Sequence, residues 1–139
     1  MQVRRAVPGD CEKIADLAKD LTQTFTFDHA SMVQNFTKLL SIPNATLLVA
    51  EQDEDLVGYL LGYEHLTFWA NGSVWWVEEL MVAEGCRGQG IGRALMGGFE
   101  ERCRQAGGSL VCLTTRRAAP FYQAIGYQEF ATYFRKVMT

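Results

Sequence analysis

The stretch "VAEGCRGQGIGRAL", residues 82–95, places Gly88, Gly90 and Gly92 at alternate positions between an apolar run and the start of a helical pattern. Glycine costs a helix about 1 kcal/mol relative to alanine, so three of them at a helix entry need a reason. At a strand-to-helix turn the first backbone N–H groups have no intrahelical partner. Together with the helix dipole they form an anion site, and a backbone without side chains lets a phosphate come close. Arg87, at the edge of the turn, can add a charge-assisted contact. The same glycines would also serve a tight turn and close helix–sheet packing with no ligand, and the residues alone leave both readings open.

Two common phosphate motifs do not fit. A P-loop ends in Gly-Lys-Ser/Thr, but Gly90 is followed by Ile91 and Gly92. A dinucleotide fingerprint needs a third glycine where Arg93 stands, inside a β-α-β unit. Here the turn follows an antiparallel hairpin instead. "SVWWVEELMV" (73–82) reads as a strand joined to "YLLGYEHLTFW" (59–69) through Asn71-Gly72, the strongest short hairpin signal in the chain.

Further upstream, "ATLLVAEQ" (45–52) and "LVGYLLGYEH" (56–65) read as strands around the acidic turn "DED" (53–55). "VRRAV" (3–7) is a short strand, followed by "PGD" with Asp10 as a helix N-cap. Ile14, Leu17, Ala18 and Leu21 then follow helical spacing. After the aromatic-rich loop "TQTFTFD" (22–28), "HASMVQNFTKLL" (29–40) makes a second helix with Met32, Phe36, Leu39 and Leu40 inward. Downstream, Ile91, Leu95, Phe99 and Cys103 share one helix face that ends at Gly107-Gly108. "SLVCLTT" (109–115) is a strand, "AAPFYQAIG" (118–126) a short helix, and "ATYFRKVM" (131–138) a last strand. The class is α+β or mixed α/β, with one sheet covered by helices on both faces.

The length of 139 residues gives one domain, 1–139, with no room for a second core. A formal net charge of -3 argues against a non-specific nucleic-acid binder. No apolar run is long enough to span a bilayer, and "MQVRRAVPGD" lacks the apolar region of a signal peptide. Cys11, Cys86, Cys103 and Cys112 are widely spaced, without metal-ligand or disulfide-framework spacing, so no metal site is expected. Reduced thiols in the cytoplasm are the simplest expectation.

"ELMVAEGCRGQGIGRALM" (79–96) resembles the acetyl-CoA-binding motif of the GNAT N-acetyltransferases, with the Arg/Gln-x-x-Gly-x-Gly/Ala core at Arg87, Gly90 and Gly92. "VRRAVPGDCEKIADLA" (3–18) resembles the first strand and helix of that family, and "APFYQAIGYQEF" (119–130) its closing motif. The resemblance implies a central mixed, mostly antiparallel sheet of about six to seven strands with about four helices. It implies acetyl-CoA as co-substrate, with its pantetheine arm lying along Leu80, Met81 and Val82 where the fourth strand splays from the fifth. The backbone of Arg87, Gly88, Gln89, Gly90, Ile91 and Gly92 would hold the pyrophosphate, with Arg93 the next candidate.

The implied reaction is direct acetyl transfer to a primary amine, probing two further roles. Tyr122 matches the position of the family's general-acid tyrosine, and otherwise reads as a core aromatic on a short helix. Glu78 and Glu79 are candidates for the base; strict alternation sends them to opposite faces, and Glu78, on the face of Leu80 and Val82, is slightly preferred. Many family members carry an asparagine after the fifth strand, where this chain has Arg116 and Arg117. The acceptor pocket implied by the resemblance falls on Phe25, Phe27, His29 and Trp76, with Tyr63, His65 and Trp75 as neighbours. A small-molecule amine is the expected acceptor. A protein N-terminus or lysine, or a non-catalytic acyl-CoA-binding module, are the rival readings. A homodimer through the aromatic hairpin around Trp69 is an expectation drawn from the family.

Overall fold

The computed structural model describes residues 1–21 and 24–138. The chain runs β1 (Gln2–Arg5), α1 (Cys11–Ala18), α2 (His29–Leu39), β2 (Ala45–Gln52), β3 (Asp55–Leu66), β4 (Ser73–Val82), α3 (Ile91–Gln105), β5 (Leu110–Leu113) and α4 (Ala119–Ala124), with 3-10 turns at Pro8–Asp10 and Glu84–Cys86. The strands form one five-stranded sheet in sequence order. The pairs from β1 to β4 are antiparallel, and β4 with β5 is parallel.

Alternation along β2 divides the core. Leu48 and Ala50 turn to one face, where they meet Ile91, Leu95, Met96 and Phe99 of α3. Leu47 and Val49 turn to the other, where Ile14 of α1 and Phe36 of α2 cover them. The β2–β3 turn puts both Asp53 (φ 52°) and Glu54 (φ 65°) in the left-handed region, the signature of a type I′ hairpin whose twist suits the strands.

Asp10 does occupy the N-cap position of α1, but its carboxylate makes no capping bond there. It accepts instead from Arg4 Nη1 (2.8 Å), Arg4 Nη2 (3.0 Å) and the backbone N–H of Val7 (2.8 Å), tying β1 to the start of α1. The Arg4 guanidinium holds the Asp10 carboxyl below its ordinary range, against the opposing effect of burial. At α2 the cap is direct: Asp28 accepts from the Ser31 N–H at 3.0 Å.

Two expectations need correction. The β3 strand ends at Leu66, and residues 67–72 form a longer connection closed by Thr67 N–H and Oγ1 on the Gly72 carbonyl (3.0 and 2.8 Å). Phe68 and Trp69 therefore project from a loop and are exposed. The expected last strand, 131–138, is not formed, so the sheet has five strands where six to seven were expected. Its β-forming residues pair with no strand, although β5 ends the sheet with a free edge, and Phe130, Phe134 and Met138 stand exposed. Strand propensity expresses fit to neighbours, and a segment without a paired neighbour has nothing to fit. No helix among the described residues is long and apolar enough to cross a membrane.

Candidate active site

The site begins where two strands part. β5 pairs with β4 only from Val74↔Leu110 to Val77↔Leu113. On its other side β4 stays paired to β3 as far as Gly58↔Val82. From Glu78 to Val82, β4 therefore shows β5 an edge with no strand partner. Leu80 and Val82 pack toward α3, whereas Met81 packs on the face covered by α1 and α2. The backbone of the three residues named for the cofactor arm lies along this open edge.

The edge runs straight into the glycine turn, where each glycine has its own reason. Gly88 (φ 78°) and Gly90 (φ 84°) adopt left-handed conformations that L side chains rarely take. A Cβ on either would meet nothing within 4 Å, so the concavity beside them is open. Gly92 is different: a Cβ there would stand 3.2 Å from Cζ of Phe121, so it lets α4 dock on the first turn of α3. Gly90 is the N-cap of α3, and no side chain caps that turn. The Gly90 carbonyl accepts from Ala94 N–H, while the leading amides of α3 precede any intrahelical acceptor. Arg87 Nε donates to the Val82 carbonyl (3.1 Å), joining the turn to the end of β4. Arg87, Gln89 and Arg93 are exposed, whereas the Ile91 side chain is core and only its backbone faces the turn.

α4 carries Tyr122 to the same region. Its half-buried ring stands edge-on to Phe121 (4.9 Å) and Tyr127 (6.0 Å). Burial pushes the Tyr122 phenol above its ordinary pKa, so it keeps its proton through neutral pH. Tyr127 donates to Glu100 Oε2 of α3 at 2.7 Å, which fixes the end of α4 against α3.

The two glutamates are separated by a bulge. Leu61 pairs with Glu79 and Gly62 with Val77, leaving Glu78 as the extra residue on β4. Facing parity changes across it: Trp75 and Val77 share the α3 cluster before the bulge, Leu80 and Val82 after it. Strict alternation therefore does not hold, and the ground for preferring Glu78 by its face is lost. Glu78 is exposed, and Glu79 is partly covered and accepts from the Tyr59 hydroxyl at 2.7 Å. Burial raises the Glu79 pKa, with a smaller push from Glu78, while the Tyr59 hydrogen bond lowers it. Tyr59 is the residue that sequence reasoning missed. Its diagonal relation to Glu79 across β3 and β4 is invisible until the register is known.

The acceptor candidates divide. Trp76 is half-buried opposite Tyr63 on β3, and Tyr63 feels the charge of both glutamates. Phe25 is exposed and Phe27 half-buried in the α1–α2 loop, whose first residues, Thr22 and Gln23, lie outside the described residues. His29 is not brought to the glutamates: its Nε2 sits 2.9 Å from Glu12 Oε2 at the exposed junction of α1 and α2. Arg116 and Arg117 are exposed beyond β5. The cysteines are free thiols, and among the described residues no group of three or more His, Cys, Asp or Glu could hold a metal ion.

The sequence profile of the acetyltransferase (GNAT) family matches residues 13–127. The chain is 29% identical over 143 residues to the aminoalkylphosphonate N-acetyltransferase of Salmonella typhimurium, across 99% of this chain and 91% of that protein. Its fold matches the crystal structure of a transcriptional regulator from Bacillus halodurans C-125 with a TM-score of 0.87 at 25% identity, over 99% of both chains. It matches glucosamine-6-phosphate N-acetyltransferase from Arabidopsis thaliana with a TM-score of 0.86 at 19% identity, over 99% of this chain and 98% of that one. At that identity the likeness concerns the fold.

Proposed function

The chain belongs to the GNAT acetyltransferase family, and from that premise we propose that it transfers the acetyl group of acetyl-CoA to the primary amine of a small molecule. The observation that carries this reading is the open edge of β4 at Glu78–Val82, leading directly into a glycine turn with free space beside Gly88 and Gly90. An edge of that kind can pair with an amide-bearing arm as it would with a strand. The turn and the start of α3 can then receive phosphates on backbone N–H groups from Arg87 to Gly92, with Arg93 beside them.

Bound there, acetyl-CoA supplies an activated thioester. The chain's own residues supply the proton chemistry. Glu79 is the base in this reading, because burial raises its proton affinity toward that of a useful base while Glu78 lies in solvent. Tyr122, kept protonated by burial, donates to the departing sulfur. Trp76 and Tyr63 border the amine, and an aromatic wall beside a carboxylate suits a cationic acceptor.

The test is thermal unfolding with acetyl-CoA, CoA, NAD and ATP. A ligand that binds only the folded state at about 100 times its Kd adds about 2.7 kcal/mol. Stabilisation by acetyl-CoA and CoA alone supports the reading, and no shift with saturating acetyl-CoA rejects it. Aminoalkylphosphonates are the first acceptors to try, because the Salmonella relative is named for them. Arg135 donates to Thr24 Oγ1 (2.9 Å) and so brings a cation to the α1–α2 loop. Stabilisation without turnover on any amine would favour a non-catalytic acyl-CoA-binding module.

A further inference from the structure

We propose that Tyr59 is a positioning residue for Glu79, holding one carboxylate oxygen by a buried hydrogen bond and leaving the other for the acceptor amine; this rests on the function proposed above. Tyr59 lies on β3 and is only 1% exposed. Its register partner on β4 is Met81, so Glu79, two residues before, is its diagonal neighbour on the face covered by α1 and α2. The hydroxyl-to-Oε1 distance of 2.7 Å is that of a well-formed hydrogen bond, and an ionised acceptor strengthens it.

The direction of this bond is fixed by its surroundings. Burial and the nearby Glu79 charge raise the Tyr59 pKa far above neutral, so the phenol keeps its proton and is the donor whenever Glu79 is ionised. Among the groups acting on Glu79, burial and Glu78 favour its neutral form, and Tyr59 favours its charged form. Tyr63 on β3 is half-buried and keeps its proton beside both glutamates. α1 turns Cys11, Ile14 and Leu17 to this face and α2 turns Met32 and Phe36, and the Cys11 thiol is itself raised and neutral. An apolar pair, phenylalanine at 59 and an aliphatic residue at 79, would fill the same space without the cost of covering a hydroxyl and a carboxylate. Packing alone therefore gives no reason for the pair, and proton transfer at the open edge of β4 does.

The experiment uses the whole chain as Tyr59→Phe and Glu79→Gln. It reads thermal stability with acetyl-CoA, the pH profile of kcat/KM, and the titration of Glu79 by carbon NMR of carboxyl-labelled glutamate. Tyr59→Phe should keep the acetyl-CoA stabilisation. It should move both the acid limb of the profile and the Glu79 titration upward by about one to two pH units. If the variant does not fold, 3-fluorotyrosine placed at position 59 decides the matter. As a stronger donor of nearly the same shape, it should move both downward. An unchanged Glu79 titration in either protein overturns the role of Tyr59, whatever the activity. An acid limb retained in Glu79→Gln overturns it too, by removing Glu79 as the base. Lack of acetyl-CoA stabilisation in the unsubstituted chain instead overturns the function, and the NMR titration reads the bond separately.

Discussion

Gly62 and Phe99 touch where β3 passes under α3: a Cβ added to Gly62 would stand 2.4 Å from Cζ and 2.5 Å from Cε1 of the ring. Phe99 has no exposed surface and leans edge-on against Trp75 at 5.2 Å, so the ring has nowhere to retreat. Gly62→Ala should destabilise the fold by about 1–3 kcal/mol, the usual cost of overpacking a core. Chemical denaturation measures it. Adding Phe99→Leu, which removes the clashing ring atoms, should make the double variant less unstable than the sum of the two single changes.

Gly90 separates backbone from ligand. Its φ of 84° makes Gly90→Ala strained by about 1–2 kcal/mol even though its Cβ would meet no atom. Asparagine tolerates the left-handed region better, so Gly90→Asn should keep more of the stability. Both side chains would enter the space proposed for phosphate. Acetyl-CoA affinity, measured by calorimetry, should fall in both variants, and a Gly90→Asn protein with unimpaired affinity would show that the turn is only architecture.

For Tyr122→Phe the expected result is a fall in kcat of about 100-fold or more, the scale of a lost general acid. The ring contacts with Phe121 and Tyr127 need no hydroxyl, so acetyl-CoA stabilisation should be nearly unchanged. Steady-state kinetics beside thermal unfolding distinguishes the two. Full activity at neutral pH would remove Tyr122 from the mechanism.

The Arg4–Asp10 pair makes stability depend on acid. The folded-state pKa of Asp10 is lowered, so its contribution is fully present above the unfolded value of about 3.9. It is lost as pH falls through the lower folded value. Asp10→Asn should cost about 1–3 kcal/mol at neutral pH, as for a hydrogen bond to a charged group. It should also flatten the loss of stability below pH 4, and urea unfolding across that range would show it.

How far these features could be read beforehand depended on whether their cause was local. The turn at residues 87–92 announced itself, because left-handed φ and close packing each demand glycine at a definite position. The α3 stripe of Ile91, Leu95, Phe99 and Cys103 followed from periodicity, and the antiparallel order of β3 and β4 from Asn71-Gly72, although the connection proved longer than that dipeptide implied. The bulge at Glu78 carries no glycine or proline to mark it, yet it moves every later residue of β4 to the other face. That single inserted residue hid the Tyr59–Glu79 pair. Residues 131–138 failed in the opposite direction: their strand-forming side chains are plain, but a strand is a relation between two segments. Asp10 was placed correctly beside α1, and the competing claim of Arg4 on its carboxylate could not be seen from spacing.

The one parallel pairing in the sheet also orders its assembly. β2, β3 and β4 are consecutive antiparallel strands whose contacts close over short turns. β5 can join them only after the chain has passed through the whole of α3, and it then gains just four pairs of residues. Loop closure must precede those contacts, so this end of the sheet belongs to the slow, non-local part of folding. The gap between β4 and β5 is thus a seam between a meander of local contacts and a strand that the chain reaches only across α3.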